Sequence, residues 1–312
     1  MQKAPKQTRF VDSEALSPYK TGYWRQLTPR ERLRRCWQMR SRLVDPRAAH
    51  DRKLFQNLKA HQVEYLLISG QAAVLHGAAT FSEDIDLWIQ PVPGNAESFL
   101  RALHAQQAKY YKLTPPWELA YLRRGHGFHF VLASAGGEEV FLDVMGVPPR
   151  VPPFERAAAS SVWLEADWGL IHTIGIRDLV ELKKTQRMED YPIISNLVLQ
   201  YFRQPNVAAN PESWLWAVNN LFTLSALTAF FDQHPDAVAS VGGKVPGAVI
   251  DFGRRVRAQD PPEPENEEAI QQWMQQRMSG LQKADRDHWR PIIEELRSLR
   301  SQGKLTKETE PV

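Results

Sequence analysis

Cysteine and long apolar runs are the two things that this 312-residue sequence lacks most clearly. Cys36 is the only cysteine, so no disulfide can form within the chain, which is typical of a reducing compartment. The longest apolar stretch, residues 221–231, falls well short of the ~20 residues of a membrane helix. Residues 1–20 are polar and basic and contain no apolar secretory segment. These absences predict a soluble cytoplasmic protein without membrane contact.

Several enzyme classes are excluded because their short motifs are missing. The sequence contains no GxxxxGK[ST], HExxH, GxSxG or CxxC motif. Its nine histidines form no evident ligand cluster, and His126 and His129 are close in sequence without a third partner. Phosphate-loop enzymes, zinc proteases of the HExxH type and hydrolases with a nucleophile elbow are therefore not expected.

Length, composition and charge divide the chain into three parts. A chain of 312 residues with 43% hydrophobic residues can bury a large core and is expected to form about two domains. Positive charge is concentrated at the start: residues 1–59 contain fifteen Lys or Arg against five Asp or Glu, although the whole chain carries only +3. We predict a basic helical N-terminal arm over residues 1–57, a central domain over 58–205 and a helical C-terminal domain over 206–312.

The N-terminal arm is predicted to contain two helices. Thr28 and Glu31 have the spacing of a capping box, and a second helix is expected over residues 46–61. A basic face on the first helix can follow a nucleic-acid backbone. It can equally be an ordinary solvated face, and the sequence leaves both readings open. The arginines expected to be mostly solvated are Arg30, Arg32, Arg34, Arg35, Arg40 and Arg42.

The central pattern spans residues 63–91. An apolar strand is predicted over residues 65–68, followed by the small residues Ser69 and Gly70 and a short helix. A second strand is predicted over residues 83–90, in which Asp84 and Asp86 alternate with aliphatic residues. Alternation places both carboxylates on one face. Adjacent like charges favour a cation between them, and carboxylate oxygens suit magnesium.

This pattern resembles the nucleotidyltransferase superfamily that includes DNA polymerase beta. In that family a small-residue pair ends a strand, a short helix follows, and Asp-x-Asp lies on the next strand, as Ser69-Gly70 and Asp84-x-Asp86 do here. The letters GQAAVLHG and DIDL are closest to the branch of the AbiEii-type toxins. The resemblance implies an α+β (α/β) fold with a mixed β-sheet flanked by helices. It also implies transfer of a nucleoside monophosphate from an NTP to a hydroxyl group with Mg²⁺ or Mn²⁺.

A third carboxylate follows from the same resemblance. Residues 128–134 and 140–145 read as a hairpin around Ala135-Gly136-Gly137, and Asp143 lies inside the return strand. The family carries its third metal-binding carboxylate on such a strand, so Asp143 would complete the set with Asp84 and Asp86. Alternatively, Asp143 is a strand acid that pairs with an arginine or faces solvent.

The letters KKTQRMED resemble a Lys-x3-Arg-x2-Asp signature of the AbiEii-like branch. The resemblance implies that Lys183 holds the triphosphate, with Arg187 and Asp190 beside it. A helix over residues 177–187 would place these residues along one side. Lys184 competes with Lys183 for the role, and Asp190 is alternatively a capping acid of the next helix.

The C-terminal part is predicted to be helical throughout. A helix starts at Asn210-Pro211 and runs to Phe231, a proline-rich linker covers residues 261–264, two amphipathic helices follow, and residues 303–312 are frayed. Trp214 and Trp216 are expected to pack in the core.

Two departures from the family pattern leave other functions open. Ser69 stands where glycine is usual, and its Cβ hinders close approach of a triphosphate. Thr80 stands where many relatives have arginine. An inactive nucleotide- or nucleic-acid-binding module with the same fold therefore remains possible, as does a toxin–antitoxin component that acts through a partner protein. The expected ligands are an NTP and an acceptor that is RNA, a protein or a small molecule.

Overall fold

The computed structural model describes residues 24, 26–40, 50–82, 84–133, 139–166, 169–205 and 207–312. Arg42, Glu83 and the expected turn at residues 135–137 lie outside these ranges, as do the side chain of Arg40 and the first residues of the second predicted helix.

A seven-stranded mixed sheet forms the centre of the molecule. The strand order is β3-β4-β5-β2-β1-β7-β6, in which β2 pairs parallel with β5 and β1 pairs parallel with β7, while the other pairs are antiparallel. The predicted class, a mixed sheet flanked by helices, is confirmed. The strands are β1 (Tyr65–Ile68), β2 (Ile85–Ile89), β3 (Lys109–Tyr110), β4 (Gly127–Ala133), β5 (Glu139–Met145), β6 (Val162–Ala166) and β7 (Gly169–Thr173).

Helices surround the sheet and make up nearly all regular structure after β7. Those before the end of the sheet are α1 (Pro29–Arg40), α2 (His50–Ala60), α3 (Ser69–Leu75), α4 (Pro93–His104), α5 (Leu119–Arg123) and α6 (Phe154–Ala159). Those after it are α7 (Ile176–Leu182), α8 (Asp190–Tyr201), α9 (Pro211–Asn220), α10 (Leu224–Gln233), α11 (Ala237–Ser240), α12 (Gly247–Ala258) and α13 (Pro264–Ser301). Every described helix is too short or too polar to cross a lipid bilayer.

The turn from β1 into α3 depends on two small residues. All four residues of β1 are buried, and the chain then turns at Ser69, whose φ of 58° lies in the left-handed region. At Gly70 an added Cβ would lie 2.2 Å from Oγ of Ser82. A side chain at Gly70 would therefore have to displace the side chain of Ser82, which lies shortly before β2.

The predicted capping box of the N-terminal arm is confirmed, but the prediction that Arg32 is mostly solvated is wrong. The Thr28 amide donates to Glu31 (2.8 Å), and the Glu31 amide donates to the Thr28 hydroxyl (3.2 Å), which is a capping box. Arg30, Arg34 and Arg35 are exposed. Arg32 is not, because its Nη1 donates to the carbonyl of Leu75 at the end of α3 (2.9 Å). Arg32 thus supplies a donor to a helix end that lacks one.

Helix boundaries in the C-terminal part differ from the prediction in two places. The single helix expected from Pro211 to Phe231 is two helices, because the chain leaves helical geometry at Leu221 and Thr223 starts α10 by accepting from the amide of Ala226 (3.2 Å). The two helices expected after the linker are the single 38-residue α13, which begins at Pro264 and continues through Pro291. A proline inside a helix removes one hydrogen bond, and here the helix continues past it.

The C-terminal residues are ordered rather than frayed. The Thr309 amide donates to the carbonyl of Tyr110 (2.9 Å), and the Val312 amide donates to that of Ala108 (3.1 Å). Pro311 also forms a bridge with Lys109. The tail thereby covers part of the open edge of β3, and an unpaired strand edge is costly to leave exposed.

One hydrophobic core connects the parts of the chain. The same cluster contains Leu33 of α1, Leu58 of α2, the sheet interior, and Ile270 and Met274 of α13. Packing is therefore continuous from the arm to the last helix. The division at residues 57 and 205 stays a prediction.

A buried ion pair joins α13 to the segment between β5 and α6. Nη1 of Arg150 lies 2.9 Å from Oδ1 of Asp285, whose side chain is 2% exposed. Asp285 also accepts from the amide of Gln186 (3.1 Å) and from Nε1 of Trp289 (3.2 Å). Because all these partners would lose their acceptor, the loss of Asp285 should be far more costly than the loss of a surface acid.

We expect Asp285→Ala to lower the free energy of unfolding by about 3 kcal/mol, because it leaves the buried Arg150 charge uncompensated. The matched control is Asp287→Ala on the same helix, since Asp287 pairs at the surface with Lys283 and Arg290 and its loss should cost less than about 1 kcal/mol. Urea unfolding followed by circular dichroism measures both. Equal unfolding midpoints for the two variants would contradict the role given to Asp285.

Candidate active site

The register of two parallel strands brings two acids side by side. Asp86 on β2 pairs with Asp143 on β5, and on its other side Asp86 pairs with Ile68 of β1. Paired residues point to the same sheet face, so the two carboxylates are neighbours on one face. Asp84 lies in the bend before β2 and not within the strand as predicted, since β2 begins at Ile85.

The surroundings of Asp86 disfavour its charged form. Burial raises its pKa to about 7, and the negative charges of Asp143 and Asp84 act in the same direction. The positive charge of Lys183 and a hydrogen bond from the Ser69 side chain oppose the rise. A carboxyl group in this state is stabilised by an added cation, because a cation would offset the repulsion from its acidic neighbours.

The donor set fits a hard divalent cation. Carboxylate oxygens are the ligands that Mg²⁺ and Mn²⁺ prefer, and Mg²⁺ fills its remaining positions with waters and phosphates. Within the described ranges, no three His, Cys, Asp or Glu side chains are gathered closely enough to hold a metal ion. Asp86 and Asp143 are thus adjacent, but together with Asp84 they do not form a complete set of metal ligands. The metal role of all three stays a prediction.

His129 is a site residue that sequence reasoning missed. Its Nδ1 lies 2.7 Å from Oδ1 of Asp143, and each of the two side chains is 25% exposed. The partnership follows from the β4–β5 hairpin, in which His129 is the cross-strand partner of Asp143. His129 and Asp143 are equally distant in sequence from Gly136, the centre of the expected turn. Their cross-strand pairing could therefore have been predicted from the sequence.

Lys112 is a second missed residue. Its Nζ lies 4.4 Å from the ring centroid of Tyr111, which in turn contacts the edge of the His129 ring. Partial desolvation alone would lower the pKa of Lys112, but Tyr111 and the charges of Asp143 and Asp84 outweigh it and raise this pKa. A cationic side chain therefore lies on the β3 side of the acids.

Lys183, Arg187 and Asp190 come together, but not along one helix. Helix α7 ends at Leu182 with Lys183 as its C-cap, so the helix predicted over 177–187 is too long. Nζ of Lys183 lies 2.7 Å from Oδ1 of Asp190, and Nε of Arg187 lies 3.2 Å from Oδ2. The Thr185 hydroxyl donates to the same Oδ2 (2.6 Å). A tight turn around one buried carboxylate thus replaces the expected helical face.

Lys183 and Lys184, between which the sequence does not choose, have different partners in the structure. Lys184 pairs with Glu181, whereas Lys183 contacts Asp190 and its charge acts on Asp86, so Lys183 is the lysine whose charge reaches the acids. Asp190 begins α8, but no side chain caps that helix. Burial would raise the pKa of Asp190, and Lys183, Thr185 and Arg187 outweigh it and lower this pKa.

Comparisons with known proteins give distant similarity to nucleotidyltransferases. No family model matches the chain, and no curated protein does. One similar solved structure is an antigenic nucleotidyltransferase-like protein from Paracoccidioides brasiliensis, with 16% identity, a TM-score of 0.35, and coverage of 64% of this chain and 97% of that one. Another is ANT(2'')-Ia in complex with adenylyl-2''-tobramycin, with 9% identity, a TM-score of 0.31, and coverage of 69% and 99%. These TM-scores are too low for either similarity to indicate a function.

The raised pKa of Asp86 predicts a specific dependence of stability on pH. Between pH 4 and 7 the folded state holds a proton on Asp86 that the unfolded chain has lost, so this group's contribution to stability falls as pH rises through that window. At pH 8 without metal, Asp86→Asn should therefore raise the free energy of unfolding. We expect roughly 2 kcal/mol, about half of the full shift, because Asp86 is only half-buried.

The gain should vanish below pH 4, where Asp86 is protonated in both states. Urea unfolding at pH 8 and at the lowest pH that keeps the protein folded measures it, with the exposed Asp260→Asn as a control that changes stability by less than about 0.5 kcal/mol at either pH. An Asp86→Asn variant less stable than the natural chain at pH 8 would show that the carboxylate is not strained.

Proposed function

We propose that the protein is a metal-dependent nucleotidyltransferase that moves a nucleoside monophosphate from an NTP to a hydroxyl acceptor and releases pyrophosphate. The observation that carries the proposal is the pairing of Asp86 with Asp143 on adjacent parallel strands, with Lys183 acting on the same carboxylate. Carboxylates crowded beside a lysine form a site for metal-bound phosphate.

The acids have distinct parts in the proposed reaction. Asp84, Asp86 and Asp143 would hold Mg²⁺ or Mn²⁺, which when bound stabilises the charges of an in-line displacement. Asp143 would hold the ion that activates the acceptor hydroxyl, as the resemblance implies, and Nδ1 of His129 lies 2.7 Å from one of its oxygens. The hydroxyl of Ser69 orients Asp86 through a hydrogen bond.

The basic residues after α7 would bind the triphosphate. An ammonium group has three N–H donors, and Lys183 uses one of them on Asp190. In the proposed complex its remaining donors would bind phosphate oxygens, although only 6% of the Lys183 side chain is exposed in the structure without ligand. Arg187 is more exposed, at 57% of its side chain, so it can contact an outer phosphate while Asp190 fixes its position. Ser69 and Gly70 lie at the turn between β1 and α3, next to Asp86.

A second function has one observation in its favour. Ser69 carries a Cβ at a left-handed turn where the family has glycine, and this atom hinders the approach of a triphosphate. An inactive module that binds a nucleotide would keep the fold and the Lys183 cluster without transfer. We also propose, more specifically, an AbiEii-type protein with a toxin–antitoxin role and a partner protein. Expression of such a toxin should arrest cell growth, and expression of the Asp86→Asn variant should not.

The central experiment is a transfer assay with purified full-length chain. Each labelled NTP is incubated with Mg²⁺ or Mn²⁺, with total RNA, and with protein alone, and the label is followed on gels. We expect transfer from at least one NTP, reduced at least roughly 100-fold by Asp86→Asn and by Asp143→Asn. Each change removes a negative ligand that would hold the metal ion, and this ion would offset the negative charge developing on the phosphate. Asp287→Asn on the surface of α13 is the control.

NTP binding without transfer under every condition would favour the inactive module. Neither binding nor transfer would refute both functions.

A separate prediction distinguishes the two adjacent lysines. Lys183→Met keeps most of the buried stem of Lys183 and removes its charge, so NTP affinity should fall about tenfold, a typical value for one charged hydrogen bond. Lys184→Met, which loses only the pair with Glu181, should leave NTP affinity unchanged. Calorimetric titration with Mg²⁺–NTP measures both, alongside urea unfolding to confirm folding. A larger loss for Lys184→Met would reverse the assignment.

A further inference from the structure

The β6–β7 hairpin presents an aromatic surface at the edge of the sheet. Trp163 on β6 is 58% exposed, and Leu170 on β7 is 62% exposed. Trp163 is the cross-strand partner of His172, and Glu165 is that of Leu170, so all four side chains share one face. An exposed tryptophan at this position is unusual for a residue that normally buries most of its surface.

The orientation of Trp163 is fixed from one side. Its ring stacks on that of His172 with centroids 4.2 Å apart and planes 5° from parallel. Nε2 of His172 is hydrogen-bonded to the hydroxyl of Ser161, which holds the imidazole in place. The tryptophan is therefore a rigid aromatic platform rather than a loose surface side chain, and a further flat ring can stack against it at low entropic cost.

Positive charge lies beside this platform. Nη1 of Arg30 on α1 is 3.5 Å from Oε1 of Glu165, which places the first turn of α1 next to β6. Arg34 and Arg35 are exposed on the same helix. Arg30 pairs with Glu165, and Arg34 and Arg35 interact with the carboxylate of Glu31. Because a guanidinium has five N–H donors, the exposed Arg34 and Arg35 keep donors for phosphate oxygens, within an N-terminal region of net +10 over residues 1–59.

The platform lies on the same sheet face as the acids. Asp86 shares a face with Ile68, and Leu67 shares the opposite face with Thr173 across the β1–β7 pair. Alternation along β7 then returns His172 to the face of Asp86. A ligand held by Trp163 is therefore on the side of the sheet from which the candidate active site opens.

We propose that Trp163, Arg34 and Arg35 bind single-stranded nucleic acid, with an unpaired base stacked on Trp163 and backbone phosphates on the two arginines. Aromatic rings beside arginines are the general means of holding unpaired strands. A duplex keeps its base faces covered and cannot use the platform. The further proposal that this strand is the hydroxyl acceptor rests on the proposed transfer function. The binding of the strand to Trp163, Arg34 and Arg35 does not depend on that function.

The test measures binding without catalysis. Full-length protein is titrated into fluorescein-labelled 12-nucleotide single strands of RNA and of DNA of the same sequence, in EDTA and without NTP, and anisotropy is recorded over a salt series. We expect Trp163→Ala to weaken binding about tenfold and Trp163→Phe to weaken it less. Ile293→Ala, another exposed apolar residue at 44%, is the matched control and should bind as the natural chain does.

The arginines are tested by charge reversal. The double change Arg34→Glu with Arg35→Glu should abolish most binding and flatten the slope of log Kd against log salt by about 1.4, two phosphate contacts at about 0.7 each. Arg297→Glu with Arg300→Glu on α13, also exposed, changes the net charge equally and should keep the slope. Equal losses for both double variants would reduce the effect to net charge and overturn the site.

Each other outcome of these binding measurements either supports or overturns the proposed site. Tighter binding of RNA or of DNA identifies which strand is used, and both support the site. Equal affinity of natural and Trp163→Ala protein, a preference for duplex, or a dimer that Trp163→Ala disrupts would overturn it. Transfer activity that persists without strand binding refutes this inference alone, and strand binding without transfer refutes only the acceptor role.

Discussion

The repulsion between two neighbouring carboxylates is the constraint on which the rest of the site depends. The parallel register of β2 and β5 fixes Asp86 opposite Asp143, so the strands cannot separate the charges without losing their hydrogen bonds. The structure compensates from three directions, with the charge of Lys183, the hydroxyl of Ser69 and the ring of His129. Compensation is incomplete, since the pKa of Asp86 is still raised to about 7. The residual repulsion is the reason to propose a cation at this surface.

The position of Lys183 depends on a helix far away in sequence. Asp285 of α13 binds Arg150, whose Nε donates to the carbonyl of Glu181 (3.0 Å) at the end of α7. Asp285 also accepts from the amide of Gln186 (3.1 Å), so one buried acid holds both sides of the turn that follows Lys183. The C-terminal helix is therefore part of the support of the candidate site, and damage to it should reach the site through this turn.

Local sequence patterns predicted the helices and strands. Contacts between residues far apart in sequence determine how the strands pair and where some helices end. The strand around Asp143 followed from apolar alternation, but its parallel pairing with β2 has no local signal. The spacing of Lys183, Arg187 and Asp190 indicated one helix, yet the chain turns after Leu182. In this turn the Asp190 carboxylate accepts from Lys183, Thr185 and Arg187. Such a carboxylate-centred turn depends on tertiary partners that periodicity does not contain.

Ser69, which stands where the resembled family has glycine, has a stabilising effect on the site as well as a cost. A left-handed φ at a non-glycine residue costs on the order of 1 kcal/mol. A hydrogen bond from the Ser69 hydroxyl acts to lower the pKa of Asp86. This interaction opposes the effect of burial and stabilises the ionised form of Asp86, the form that the proposed metal site requires. Glycine at this position would relax the backbone and leave Asp86 more readily protonated at neutral pH. Ser69 thus supports the acid that the proposed reaction needs, which weakens the case that the substitution marks an inactive protein.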